Sequence, residues 1–390
     1  MTGEGQAGEA VRAAQRTGMW IRRTPLGGVS RSDVKERWDL VGGERRARSF
    51  EVDVRVGKPL DVLALKGTSL DEVREYACFL RATAAKLYGP DRGKRKVARC
   101  PCCRASVTPA VESAAIFGVA YKRCGGCGHA FVGSQPHPEV LLEVFTESEG
   151  HATSYTKPEH VELRLREIIK PKVEWMVETY RRRHGRDAGS VLDVGAGGGH
   201  FVEACRRAGM AAEGYEVSRA SRQFAREVFG LELSDKNFLS RGRESARFDV
   251  VTFWGLLEYV PEPRRYLEAA HHRLKARGGL LVVEVPRFDC LGTAVQKLCP
   301  ETVARHLDPT SHVNCFSDAS LATALVTTGF KPVAAWYFGM DVYELVVQLA
   351  LQLGDPGAVE RLAPWIPELQ ASLDAARLCD DVIVAALPLR

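Results

Sequence analysis

Val191-Leu192-Asp193-Val194-Gly195-Ala196-Gly197-Gly198-Gly199-His200-Phe201 is a short apolar run that breaks into a glycine cluster. After it, Phe201, Val202, Ala204 and Cys205 recur at helical spacing up to Ala208-Gly209. The stretch predicts a strand, a tight glycine turn and a helix. A turn of this kind lets a ligand approach bare backbone, and the helix start offers N–H groups to an anion. The dinucleotide fingerprint G-x-G-x-x-G is not met, because its sixth position is His200. Asp193 ends the strand. A second strand, Ala211 to Val217, carries Glu216 near its tip, where an acid suits a ribose diol.

Together these residues resemble the S-adenosylmethionine site of the class I methyltransferases. The resemblance extends over Phe248-Asp249-Val250-Val251-Thr252-Phe253-Trp254-Gly255-Leu256, similar to that family's fourth strand and its loop, and over Gly278 to Pro286, similar to its fifth. It implies an α/β fold: a Rossmann-like core with a seven-stranded sheet whose last strand is antiparallel. It also implies a cofactor set of Asp193, Gly195, Ala196, Gly197, Gly199, Phe201, Glu216, Trp254, Gly255 and Leu256. Asn237 and Phe238 fall where the family contacts adenine. Tyr155, before a long helix at about 158–184, falls where a residue closes over the cofactor. Glu258-Tyr259 stands where relatives often have Glu-His. Ser311-His312-Val313-Asn314-Cys315-Phe316-Ser317, with Ser320-Leu321 and Gly329-Phe330, is similar to the H-x-x-x-F-(S/T)-x-x-S-L…G-F segment of many small-molecule methyltransferases. Gln370, Asp374 and Asp380-Asp381 resemble enzymes of sugar and natural-product pathways.

Upstream, Cys100 and Cys103 are spaced C-x2-C, as are Cys124 and Cys127, with 20 residues between the pairs. That spacing fits a four-cysteine zinc site, and the segment resembles a zinc ribbon with a hairpin near 115–121. Four sulfur ligands close a tetrahedron, so the zinc is expected to be structural. Cys102 is the spare thiol and an alternative ligand.

These readings divide the chain. Residues 1–40 are expected to be largely disordered, with Trp20 and Trp38 able to dock on a neighbour. Residues 41–98 are read as a small β-β-α unit. Its strands are Phe50–Val56 and Pro59–Leu65, and Ser69-Leu70-Asp71-Glu72 caps its helix. The ribbon spans 99–135 and the methyltransferase domain 136–390. A helical insertion at about 341–378 is the candidate homodimer surface.

The chain of 390 residues carries a formal charge of +5, too mild to argue for nucleic acid. No apolar run is long enough to cross a bilayer and no signal-peptide core opens the chain, so the expectation is a cytoplasmic protein with reduced cysteines. The expected activity is methyl transfer to a small-molecule acceptor. His312 is the first candidate for general base, because imidazole accepts a proton at neutral pH; Glu258 and Tyr259 follow. An RNA methyltransferase, gripping phosphates with the ribbon and the basic stretch Arg92–Arg99, is the alternative. It is disfavoured by the absence of an Asn/Asp-Pro-Pro-aromatic motif after the fourth strand. A non-catalytic scaffold is disfavoured by the intact glycine turn and Glu216.

Overall fold

The computed structural model describes residues 18–28, 33–42, 45–57, 69–90, 93–107, 111–147, 156–240, 247–303 and 306–389. Tyr155 and the strand expected over Pro59–Leu65 lie outside the described residues.

Three strands come first: β1 (Trp20–Gly28), β2 (Asp33–Gly42) and β3 (Arg45–Val56). They are followed by α1 (Leu70–Tyr88), whose N-cap Ser69 accepts from the Glu72 N–H. The cysteine-bearing segment holds β4 (Lys94–Lys96), the hairpin of β5 (Val111–Ile116) and β6 (Val119–Arg123), and then β7 (Ala130–Val132) and β8 (Ser134–Pro136). Phe117 and Gly118 both take positive φ, 49° and 73°, which makes the hairpin turn. Next come α2 (Pro138–Glu147) and α3 (Lys170–His184), which is entered through a π-helical turn at Leu165–Ile169. The remaining elements alternate: β9 (Ser190–Val194), α4 (His200–Arg207), β10 (Ala211–Tyr215), α5 (Arg219–Phe229), β11 (Val250–Trp254), α6 (Pro263–Arg273), β12 (Leu280–Pro286), α7 (Leu291–Leu298), β13 (Asn314–Cys315), α8 (Asp318–Thr327) and β14 (Phe330–Phe338). The helices α9 (Asp341–Leu353), α10 (Gly357–Leu362) and α11 (Ile366–Ala376) precede the closing strand β15 (Asp381–Pro388).

The main sheet runs β1-β2-β3-β14-β15-β12-β11-β9-β10. From β10 to β12 the strands are parallel, and β15 is antiparallel to both β12 and β14. The near-continuous apolar runs of β11 and β12 are buried, as strands covered on both faces must be. The expected antiparallel last strand is therefore present, but the sheet differs from the expected seven strands. The place of a third strand beyond β10 is reduced to one bridge, Tyr215 to Ser234. Three strands are added at the opposite edge.

Those added strands correct the expected organisation of the first 98 residues. Trp20–Gly28 and Asp33–Gly42, expected to be largely disordered, are strands. The 41–98 segment is not a unit of its own, because β3 pairs in parallel with β14, Ala334 opposite Asp53 through Tyr337 opposite Val56. The physical reason is the alternation of Trp38 and Leu40 in β2 with Phe50, Val52 and Val54 in β3. All five are buried in the same cluster as Tyr337, whose ring centroid lies 6.5 Å from that of Trp38. A hairpin with one apolar face needs a surface to cover, and the edge of the core supplies it. Arg377 of the insertion pairs with Glu36, and Arg23 with Asp318. Ser134 to Pro136, at the boundary expected between ribbon and methyltransferase domain, form β8 against β4.

Gln370, Asp374 and Asp380 fasten the helical insertion to the sheet. The Gln370 amide donates to Asp374 (2.8 Å) and Asp341 (3.2 Å), and its carbonyl accepts from Val342 N. Asp341 in turn accepts from the backbone of Gly292 and Asp380. Among the described residues no helix is long and apolar enough to cross a membrane.

Candidate active site

The carboxyl ends of β9, β10 and β11 open into a cavity of about 1100 Å3. Ligands sit at this edge of open α/β sheets. Gly195 and Gly197 hold φ of 76° and 52°, a region that side-chain-bearing residues rarely adopt. Gly195 N and Ala196 N both donate to the Tyr215 carbonyl, so the turn is tied to the tip of β10. Gly195, Ala196, Gly197 and Phe201 line the cavity; Gly199 does not. Gly199, at φ 80°, caps α4 instead, and a Cβ there would meet Leu231 at 3.0 Å and Ala225 at 3.1 Å.

Glu216 is 9% exposed and lines the same cavity. One carboxylate oxygen accepts from Gly197 N and the other from Ser218 N, each at 2.7 Å. Burial pushes its carboxyl up while these two bonds pull it down. Asp193 is buried beneath the turn and accepts from Thr252 Oγ1 at 2.7 Å. Burial pushes it up to about 7 despite that bond. Asn237 and Phe238 also line the cavity, in different conditions. Asn237 is exposed and its side-chain oxygen accepts from Leu239 N, an Asx turn. Phe238 is buried among Tyr215, Phe253 and Tyr266, so its faces are engaged in the core.

Trp254, Gly255 and Leu256 also line the cavity, and a Cβ on Gly195 would meet Leu256 at 3.1 Å. Two groups there escaped sequence reasoning. Lys172, from α3, is buried and donates to Glu284 at 2.5 Å, with its ammonium 5.2 Å from the Trp254 ring. From α2, Phe145 meets Tyr259 edge to face at 5.3 Å, with Leu141 and Leu142 also lining the cavity. A lysine inside an amphipathic helix carries no local signal for a partner 112 residues away. The amphipathic pattern of α2 shows an apolar face and not what that face covers.

The three catalytic candidates lie on the loops after β11 and before β13. Tyr259 and His312 both line the cavity and stack edge to face at 5.4 Å. His312 Nδ1 lies 3.0 Å from the His306 carbonyl. A carbonyl only accepts, so Nδ1 carries the proton and Nε2 is the basic nitrogen of the neutral ring. Glu258 lines a second cavity of about 200 Å3 that shares Gly255 and His312 with the first. It is 4% exposed, and its Oε2 has no hydrogen-bond partner among the described residues. Burial, with Glu284 nearby, pushes its carboxyl up to about 8.

That shift has a sign that can be checked. The unfolded chain releases this proton near 4.5 and the folded protein keeps it to about 8. The stabilising contribution is whole below 4.5 and is lost as pH rises through 8. Urea midpoints of the parent protein should therefore fall, relative to Glu258→Gln, over that window. The slope is at most about 1.4 kcal/mol per pH unit. Parallel curves would mean that the carboxyl is ionised in the fold.

Cys100, Cys103, Cys124 and Cys127 bring their sulfurs within 4.8 Å of one another. Cys100 and Cys127, and Cys103 and Cys124, are each 3.6 Å apart. A tetrahedron with Zn–S of about 2.3 Å has edges of about 3.8 Å, so the four sulfurs fit that ion. Gly126 N donates to Cys124 Sγ at 3.3 Å, as a thiolate ligand would accept. Cys102 is buried outside this cluster.

A doubly wound sheet with a glycine turn at its switch point and acids at the tips of the first two strands is a Rossmann-like arrangement, in which ligands bind at that switch point. Residues 164–335 match the family described as "Methyltransferase domain". Over these residues the chain is similar to methyltransferase domains. The chain is 31% identical over 152 residues to the ubiquinone biosynthesis O-methyltransferase of Bordetella avium, covering 37% of this chain and 61% of that protein. With the mitochondrial enzyme of that name from Schizosaccharomyces pombe it shares 27% over 143 residues, 35% of this chain and 50% of the relative. The chain thus spans about half to three fifths of the length of these relatives. Among solved structures, the plantazolicin methyltransferase BamL, in complex with a triazolic desmethylPZN analog and SAH, has a TM-score of 0.44 at 12% identity, covering 64% of this chain and 95% of that one. For the magnesium protoporphyrin IX methyltransferase of Synechocystis PCC 6803 the values are 0.42, 13%, 64% and 99%.

Proposed function

We propose that the protein transfers a methyl group from S-adenosylmethionine to a small-molecule acceptor, a sugar-linked or natural-product intermediate. The observation that carries this is one cavity lined both by the glycine turn with Glu216 and by Tyr259 with His312, beside an adjoining cavity lined by Glu258. The residues suit the cofactor. The turn exposes backbone, Glu216 keeps lone pairs for a diol, and the Trp254 indole N–H has no partner among the described residues. Bound there, the cofactor supplies an electrophilic methyl carried on a sulfonium. The protein's own part is to orient the acceptor atom in line, exclude water and take up a proton, with His312 Nε2 as the proposed acceptor of that proton. Glu258, protonated near neutrality, can donate a hydrogen bond to the acceptor. The covering helices α1 and α2, which bring Tyr76, Leu141 and Phe145 over the cavity, favour a small acceptor over RNA. Relatives named for ubiquinone biosynthesis are in keeping with this.

The four-cysteine module at 99–135 holds one structural zinc and, with the insertion at 341–378, serves the methyltransferase domain. Leu353 and Trp365 of the insertion are 75% and 60% exposed, and this face supports a homodimer whose mass sedimentation would read directly. Free cysteines are in keeping with a reducing, cytoplasmic setting.

The test is calorimetry with S-adenosylmethionine and its demethylated product. Both should bind, and Glu216→Ala should weaken them by about 1–3 kcal/mol through loss of a charged hydrogen bond. Equal affinity in that variant would remove Glu216 from the ribose site, and no binding in the parent protein would remove the proposed activity.

A further inference from the structure

All three acceptor-side residues lie on segments hydrogen-bonded to the four-cysteine module. The strand after His312, β13, is part of the module's own sheet and pairs with β7, Asn314 opposite Phe131 and Cys315 opposite Ala130. Asn314 is fully buried. Its N–H donates to the Glu258 carbonyl at 3.0 Å. Its side-chain amide donates to the carbonyls of Val260 (2.7 Å) and Leu257 (3.4 Å), the two residues that bracket Glu258-Tyr259. Because that NH2 is committed to carbonyls, its Oδ1 faces His129 Nε2 at 2.9 Å, and His129 is the donor.

His129 belongs to the module. It is fully buried two residues after Cys127, its carbonyl accepts from Cys124 N, and its ring lies against Phe131 and Phe316. A second tie runs beside the first. The Tyr121 hydroxyl donates to the His312 carbonyl at 2.8 Å, and Val132 N to the Val313 carbonyl at 2.9 Å. The glycine turn and Glu216 are instead held to β10 and to each other, with no hydrogen bond to the module among the described residues.

We propose that His129 and Asn314 are positioning residues, through which the four-cysteine module fixes the backbone carrying Glu258, Tyr259 and His312 relative to the cofactor end of the cavity. The description of that backbone as acceptor-side rests on the methyl-transfer reading. The chain of contacts does not. A buried, fully satisfied polar link gives one orientation where apolar packing would tolerate several. The module then sets acceptor geometry and leaves cofactor affinity alone.

The experiment compares backbone amide exchange in the zinc-loaded 390-residue chain with that of two opposed variants. His129→Phe keeps an aromatic ring between Phe131 and Phe316 and removes the donor. His129→Gln removes the ring and keeps a donor. Exchange at Tyr259 and Asn314 should quicken about tenfold or more in His129→Phe and return toward the parent in His129→Gln. The β9 amides and the affinity for the demethylated cofactor should stay unchanged in both. Asn314→Asp removes the donor to Leu257 and Val260 from the other side and leaves the module's residue in place. It should quicken Tyr259 alike, and it carries the test if His129→Phe sheds zinc. Parent-like exchange in His129→Phe and faster exchange in His129→Gln would make His129 a packing residue and overturn the proposal. So would unchanged exchange at Tyr259 in Asn314→Asp. Failure of the parent protein to bind the cofactor would instead remove the methyl-transfer reading and leave the exchange result standing.

Discussion

His312→Ala is expected to lower turnover by a factor on the order of 10²–10⁴ while the affinity for S-adenosylmethionine stays within a few-fold of the parent. The size follows from the role. A positioned base acts only in the transition state, so its loss appears in kcat and not in binding of the ground state. The split follows from the geometry. His312 and Tyr259 line the cavity from the loops before β13 and after β11, whereas Gly197 and Glu216 line it from the loops after β9 and β10, and His312 Nδ1 is committed to the His306 carbonyl. That bond fixes the tautomer and leaves Nε2 as the base. The measurement is single-turnover methyl transfer to the acceptor, beside calorimetry with the cofactor. Turnover within a few-fold of the parent would leave His312 as a member of the loop before β13 and move the role to Glu258 or Tyr259. A collapse of cofactor affinity would place the residue in the wrong half of the cavity.

Cys124→Ser should abolish metal binding and unfold the module, whereas Cys102→Ser should keep a full complement of zinc. Apparent binding energies of structural zinc in small modules are about 10–16 kcal/mol, comparable with or above the whole stability of a domain. The segment from Cys100 to Val132 has short strands, and beyond the four cysteines it is held by its packing on residues such as Leu80, Phe288 and Leu307 and by the pairing of β7 with β13, so loss of the ion should loosen the cysteine turns first. Metal analysis of purified protein reads the stoichiometry, expected at one per chain, and far-ultraviolet dichroism with limited proteolysis reads the loss of the module. Full metal in Cys124→Ser, or its loss in Cys102→Ser, would reassign the ligands and bring the spare thiol into the site.

The amino-acid sequence by itself determined the parts of this protein whose chemistry is local. A glycine turn needs positive φ at fixed positions, so Gly195 and Gly197 are legible as residues that let a ligand near the backbone. An acid at the tip of a strand can be counted from the turn, and Glu216 stands in the cavity beside Gly197. Paired C-x2-C turns each aim two sulfurs at one point, and the four cysteines do converge. The alternation of Phe50, Val52 and Val54 announced a half-buried strand in the same way.

Tertiary structure decided what each of those faces meets. Alternation says that one face is apolar and is silent on what covers it, so only the fold shows β1 to β3 extending the main sheet along β14. An asparagine next to a histidine motif carries no sign of its neighbours, and Asn314 became the joint between the cysteine module and the Leu257–Val260 loop only when β13 joined β7. Nothing along the chain links Lys172 to Glu284, and only the fold pairs them in its interior. The high pKa of Glu258 is likewise a property of its surroundings, since desolvation acts through everything packed around a carboxyl and nothing in its own position along the chain encodes it.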